Sequence, residues 1–494
     1  MDRDERGDGR PLQGVHAEFD ELTSKDRYAH SSWGLMVFDP QSKSTLIDIR
    51  SDEMFIPGST TKLFTTAAIL MEMGPDHRFI TPAYVGSIDE GGVVNGPVFL
   101  KASGDPKMGG RDMGDDRINY TDEDHSYAFV QGGCILVSED PLAGIDSLVQ
   151  QMYEEGVRSV EDVVIDDTLF ETVDLEAFVV SPIVINDNLL DIMITPGAAG
   201  ELGTIEIRPY TEFYTIKNEV VTNDDPTDIS ITASGREVTV SGNIKLGSGK
   251  MNLTHTVMEP ADFARALMIE SMERHGIEVL STLESNPREL IPSDYDGMIE
   301  VASITSAPLS EEVKLTNKVS HNLHAETYLS LMAASRGERT PYDGLMVERE
   351  MLEQLGIDLD ALCLIDGMGG PLENLFTPRA AVQLLMAMMD REEFQVFFDS
   401  LPVLGVDGSL AHAIGEGPAI GNVYAKTGSK VGYDILGDTG MAQTKALARY
   451  IDPASGKRLI FALFVNNVPV DDYDDIMALG TDLARVSDMI YRHF

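Results

Sequence analysis

Residues 55–73 read FIPGSTTKLFTTAAILMEM. The apolar positions Leu63, Ala67, Leu70 and Met71 recur at helical spacing and Gly74-Pro75 closes the run, which predicts a helix over 59–73. Ser59 at its start and Lys62 three residues on share one face, within reach of each other. A backbone N–H at a helix N-terminus lacks an intrahelical partner, so the N–H of Ser59 is available to stabilise an oxyanion. Lys62 could take the Ser59 proton only with a lowered pKa, which burial and neighbouring positive charge can supply. Taken alone, the same pattern also describes a helix cap followed by a solvated lysine.

Working outward, Ser32–Asp39 (SWGLMVFD) and Ser44–Ile49 (STLIDI) read as a strand pair joined by a turn at Pro40. From about 83 to 300 the chain turns to short β-rich pieces, as at 97–101, 163–165, 237–241 and 252–257, with helical patterns at 144–156 and 260–275. Residues 109–126, GGRDMGDDRINYTDEDHS, are polar and acidic and are expected to form a solvated loop. Helical patterns return at 320–334, 342–355, 378–391 and 473–491, with two late strands near 421–428 and 458–465. The expected architecture is an α/β domain split in sequence, 1–82 with 300–494, carrying a β-rich insertion over 83–299 that could form two subdomains.

Two further patterns extend the first. Ser320-His321-Asn322 leads into a helical run, which suits a proton relay and an amide anchor but equally another helix cap. A second S-x-N, Ser241-Gly242-Asn243, lies in an alternating stretch that strand and turn explain fully. Lys426-Thr427-Gly428 lies in strand-like VYAKTGSKVG, where period 2 puts Lys426 and Gly428 on one face: a cation, then a place without a Cβ beside which a substrate backbone can lie. Singly it also reads as a turn after a surface lysine. The ordered set S-x-x-K, S-x-N, K-T-G is the one used by penicillin-binding proteins and class A β-lactamases.

On these residues the sequence resembles the class C low-molecular-mass penicillin-binding proteins, D-alanyl-D-alanine carboxypeptidases and endopeptidases of the DacB type. Gly104-Asp105-Pro106, 163–167 (VVIDD), 184–188 (VINDN), Ala325-Glu326, Asp366-Gly367, 375–379 (LFTPR), Leu401-Pro402, 405–408 (GVDG) and 464–467 (FVNN) follow the family's order. Ser320 follows Ser59 by 261 positions, which leaves room for the large insertion that class C enzymes carry. The resemblance implies an antiparallel sheet flanked by helices in a penicillin-binding, β-lactamase-like transpeptidase domain. It implies a serine-type D-Ala-D-Ala carboxypeptidase with Ser59, Lys62, Ser320, Asn322 and Lys426 as catalytic residues and Thr427, Gly428 and Ser429 as substrate-binding residues. The substrate would be a peptide ending in D-alanine, with β-lactams as covalent inhibitors. An esterase, D-amino-acid amidase or β-lactamase on the same fold, or a catalytically poor peptide-binding relative, are the alternatives. His321 stands where relatives carry a small polar residue; a surface position is expected for it, although a histidine there could also alter substrate fit or add a pH-dependent charge.

Composition bounds the rest. The 494 residues are more than one core usually organises, and 43% hydrophobic content supports a packed interior. With 82 acidic against 37 basic residues the net charge is −45, a field that repels nucleic acid and anionic lipid headgroups, so no nucleic acid partner is expected. Such a surface suits a salt-rich environment, or belongs to an ordinary acidic enzyme. Cys134 and Cys363 make neither a disulfide framework nor a metal site, and no H-E-x-x-H motif occurs, so neither metal nor other cofactor is expected. The first thirty residues carry no apolar signal segment and no long apolar run suggests an integral membrane span. The resemblance implies action outside the cytoplasm, while the missing signal leaves a cytoplasmic location open.

Overall fold

The computed structural model describes residues 10–283 and 285–494. They form two compact units, the first from residues 10–76, Glu312–Arg336 and Thr340–Phe494, the second from His77–Glu311 and Gly337–Arg339.

The first unit begins with α1 (Arg10–Thr23), β1 (Ser32–Asp39), β2 (Ser44–Ile49) and α2 (Lys62–Met73). It resumes with α3 (Asn322–Ser335), α4 (Pro341–Gln354), α5 (Pro378–Met388), β3 (Val423–Asp434), β4 (Thr439–Ile451), β5 (Leu459–Val470) and α6 (Tyr473–His493). Its sheet has the order β3-β4-β5-β1-β2 with every pairing antiparallel. β5 is central, and its run LIFALFV is buried on both faces. Alternate residues serve opposite sides. Phe461, Leu463 and Val465 join Leu35, Val37 and the apolar faces of α1 and α6, whereas Phe464 stacks on Phe55 at 5.8 Å and meets Phe376 edge-on. Trp33, the single tryptophan, packs edge-on against Phe19 and Tyr28.

On the Phe464 side lie the buried helices. Every residue of α3 from Leu323 to Ala333 is buried, as is α2 from Lys62 to Leu70, so neither shows a polar outer face and both are interior helices. Both late strands run well past the residues expected for them. β4 was not anticipated at all; its TGMAQTKALARYI is rich in alanine, and pairing between β3 and β5 makes it a strand despite that helical propensity.

In the second unit, one sheet has the order Ile299–Thr305, Ile80–Val85, Pro97–Lys101, Asp162–Asp166. Two three-stranded sheets are centred on Leu189–Thr195 and Glu237–Lys245, and Ala143–Glu154 and Pro260–Arg274 supply the main helices. The expectation of a solvated loop over 109–126 fails at its ends. Arg111, Asp124 and His125 are buried, because their charges find partners. The Arg111 guanidinium donates to Asp124 and Asp187, and the two ring nitrogens of His125 lie 2.7 Å from Asp187 and Asp191. Burial disfavours the imidazolium, but the two carboxylates outweigh it and raise the His125 pKa to about 10. The network sits beside three consecutive left-handed residues, Asn186, Asp187 and Asn188, with φ of 53°, 55° and 52°.

Candidate active site

Ser59 does not open an α-helix as expected. Gly58–Thr61 form a single 3-10 turn and the α-helix starts at Lys62. The turn is held from below: the Asn466 side chain of β5 accepts from the Ile56 N–H at 2.9 Å and donates to the Ile56 carbonyl, and the Thr60 hydroxyl donates to the Pro57 carbonyl. Gly58 has φ +52°, and a Cβ there would come within 2.9 Å of the Ser429 nitrogen. A Cβ on Gly428 would meet the Pro57 carbonyl at 2.1 Å. Two glycines therefore let the Ser59 turn and the outer strand β3 approach backbone to backbone.

Lys62 Nζ lies 3.0 Å from Ser59 Oγ, 2.7 Å from Asn322 Oδ1 and 2.9 Å from the Met368 carbonyl. Lys426 Nζ lies 2.7 Å from Ser320 Oγ and 3.1 Å from the Thr427 carbonyl. Ser320 takes φ +65°, the bend that ends one helix at Val319 and begins α3 at Asn322. Thr427 pairs with Ser409 hydroxyl to hydroxyl at 2.8 Å. Ser409 follows a loop fixed by Lys318, which donates to both oxygens of Asp407 and to the Leu401 carbonyl. All five residues expected to be catalytic are thus linked in two hydrogen-bonded groups, Ser59–Lys62–Asn322 and Ser320–Lys426. Thr427, Gly428 and Ser429 lie on β3, the outer strand of the sheet, with Gly428 against the Ser59 turn.

Lys62 and Lys426 are fully buried, which excludes the solvated-lysine reading of both motifs. Burial lowers the Lys62 pKa to about 7 against the opposing pull of Asp366 and Glu326. Burial also drives Lys426 well below its ordinary value, and Lys62 adds to that by like-charge repulsion. A neutral amine has two N–H groups and one lone pair. Asn322 Oδ1 and the Met368 carbonyl can only accept, so they take both N–H groups and the lone pair of neutral Lys62 is left facing the Ser59 hydroxyl. This arrangement can remove a proton from Ser59 without any other base.

His321 is not a surface residue. It is buried, caps α3 through Nδ1 and stacks on His324 with ring centroids 3.8 Å apart. Sequence reasoning missed two contributors. Met368 acts through its carbonyl, which no side-chain pattern reveals. Ser409 belongs to a phrase read only as far as Gly408, and a hydroxyl one residue beyond it was the available signal.

Residues 15–485 match the D-Ala-D-Ala carboxypeptidase 3 (S13) family. The chain belongs to that family. It is accordingly a serine peptidase of the D-Ala-D-Ala carboxypeptidase type. Among relatives, it is 26% identical over 457 residues to the D-alanyl-D-alanine carboxypeptidase of Actinomadura sp. (strain R39), covering 87% of this chain and 78% of that one. It is 24% identical to penicillin-sensitive carboxypeptidase A of Dictyostelium discoideum, covering 90% of this chain and 85% of the relative. The crystal structure of penicillin binding protein 4 from Haemophilus influenzae is similar with a TM-score of 0.70 at 19% identity, covering 94% of this chain and 98% of that one; it shows the same fold. A second structure of that protein holds a β-lactam.

Proposed function

We propose that this S13 member cleaves peptides ending in D-Ala-D-Ala through an acyl-enzyme on Ser59, and that β-lactams trap the same serine. Ser59 Oγ attacks the carbonyl of the penultimate D-alanine while its proton passes to the Lys62 lone pair. The backbone N–H groups of Ser59 and Ser429 receive the oxyanion. Collapse of the tetrahedral intermediate breaks the C–N bond, and the leaving amine takes a proton from Ser320, which Lys426 holds at 2.7 Å; the proton that Lys62 took from Ser59 replaces it, so Ser320 is a hydroxyl and Lys62 a neutral amine again. Water then attacks the ester, giving its hydroxyl to the acyl carbon and one proton, through Lys62, to Ser59 Oγ, which releases the shortened peptide. Asn322 anchors the acyl-donor amide, and the terminal carboxylate lies against Thr427, whose hydroxyl is oriented by Ser409.

The observation that carries this reading is the donor and acceptor count at Lys62, which leaves one lone pair and directs it at one hydroxyl. In this reading the chemistry belongs to the discontinuous domain and the inserted segment supplies none of it. The enzyme works outside the cytoplasm, where wall peptides with D-alanine ends occur. A fluorescent penicillin is expected to label the protein covalently at Ser59 and to leave Ser59→Ala unlabelled, while a D-Ala-D-Ala peptide releases D-alanine only with the unsubstituted enzyme. Equal labelling of both proteins would sink the assignment.

A further inference from the structure

The Lys62 geometry depends on a main-chain carbonyl, and main-chain carbonyls point where their loop is held. The loop is Asp366-Gly-Met-Gly-Gly370. A single oxygen of Glu326, Oε1, accepts the N–H groups of both Gly367 and Met368, at 2.9 and 2.8 Å. Asp366 accepts from Gly369 and Gly370 and from the Asn374 amide, closing the far side. The Thr65 hydroxyl of α2 donates to the Gly367 carbonyl at 2.9 Å. The loop lies hard against its supports: a Cβ on Gly367 would meet the Ala325 carbonyl at 2.7 Å, and one on Gly369 the Gly58 carbonyl at 2.0 Å.

We propose that Glu326 is a positioning residue for Lys62: by gripping two successive N–H groups it turns the Met368 carbonyl onto Nζ, which forces the amine's lone pair towards Ser59. The inference rests on the acyl-enzyme reading and adds a residue to it that touches no substrate. Without the grip, the two peptide units that lead into the Met368 carbonyl lose their anchor and the Asp366–Gly369 bond alone has to aim it, so one N–H of Lys62 is released and the lone pair of the amine is no longer directed at Ser59. Glu326 is itself 4% exposed, and no surface role accounts for an acid buried there. Burial raises its pKa, with Asp366 adding to the effect, so what the loop requires of it is an acceptor rather than a charge. Glu348, also buried beside α2, is raised by the same desolvation and by Glu326 and Asp366, so the two buried glutamates disfavour each other's ionisation.

That distinction sets the test. Glu326→Gln keeps an oxygen for both N–H groups; Glu326→Ala leaves them without it. At pH 8, penicillin acylation by the alanine variant is expected to lose about 10-fold or more in the first-order acylation step, with the dissociation constant of the noncovalent complex unchanged, since a misaimed catalytic group costs rate and not binding. The glutamine variant is expected to stay within about 3-fold of the unsubstituted enzyme. Hydrogen exchange of peptides covering 365–371 is expected to quicken in the alanine variant and to stay protected in the glutamine variant, a readout that needs no activity. An alanine variant acylating at the full rate, a glutamine variant as slow as the alanine one, or a loss confined to penicillin affinity would each overturn the proposal. An unlabelled unsubstituted enzyme showing this same exchange pattern would instead remove the acyl-enzyme reading and leave the Glu326 grip standing.

Discussion

Lys62 shows how one side chain is tuned by where it is put. Its ordinary value is lowered to about 7 chiefly by burial, so the fraction present as free amine rises as pH passes through that value from below. Acylation by penicillin is expected to climb about tenfold per pH unit below 7 and to level off above it, read from the rate of covalent labelling between pH 5 and 9. A rate that does not change between pH 5.5 and 8 would contradict Lys62 as the base. At this scale the sequence was informative wherever side chains at fixed spacing meet in the structure: Ser59 with Lys62, Lys62 with Asn322, and Ser320 with Lys426. It was silent on Met368, because a carbonyl oxygen belongs to every residue alike. It misled on His321, because polarity alone cannot tell a solvated imidazole from one stacked on a buried neighbour such as His324.

At the scale of elements, strands with continuous or alternating apolar character, such as β1, β2 and β5, were legible, as was the helix-strand order of the split domain. β4 was not, since AQTKALAR carries no period-2 signal and its strand state comes from two long neighbours. The stretch 109–126 was misjudged for the complementary reason: acidic residues look solvated until a partner appears from elsewhere, here Asp187 and Asp191 from about 65 residues on. His125 gives this network a pH signature. Its pKa is raised from 6.5 to about 10 on folding, so the stabilisation is fully present below about pH 6.5 and is lost as pH rises towards 10. Replacing His125 by Ala removes the cation between two buried carboxylates and is expected to cost about 3–5 kcal/mol at pH 6. Calorimetric unfolding of both proteins should show the difference narrowing by pH 10; a gap constant across that range would rule out a charged His125.

For the whole molecule, the net charge of −45 and the buried pair Lys62 and Lys426 act on different length scales. Long-range repulsion of a substrate carboxylate is screened beyond about 10 Å in 0.1 M salt and about 3 Å in 1 M salt, whereas contacts within the site are shielded from ions by burial. Lys430, which follows on the same face of β3, is only partly buried and is the one lysine of the strand open to that screening. In this reading kcat/KM for a D-Ala-D-Ala peptide rises from low to molar salt, while an uncharged ester substrate changes little. A rate that falls or stays level for the peptide over that range would count against it.

The sheet of the first unit also fixes a schedule for making the protein. β1, made early, pairs with β5, with Leu35 opposite Leu463, so a strand near the amino terminus waits for one near the carboxyl terminus. At about 5–20 residues per second the ribosome needs about 20–80 s to deliver the intervening 420 or so residues. Asn322 and Met368 are made 260 and 306 residues after Lys62, and Lys426 later still, so for most of that interval the nascent chain holds Ser59 and Lys62 without the full set of groups that surrounds them in the folded protein. His77–Glu311, a continuous stretch with its own core, is complete long before β5 leaves the ribosome. Its early folding would keep the two ends of the split domain from being joined by a long disordered tether.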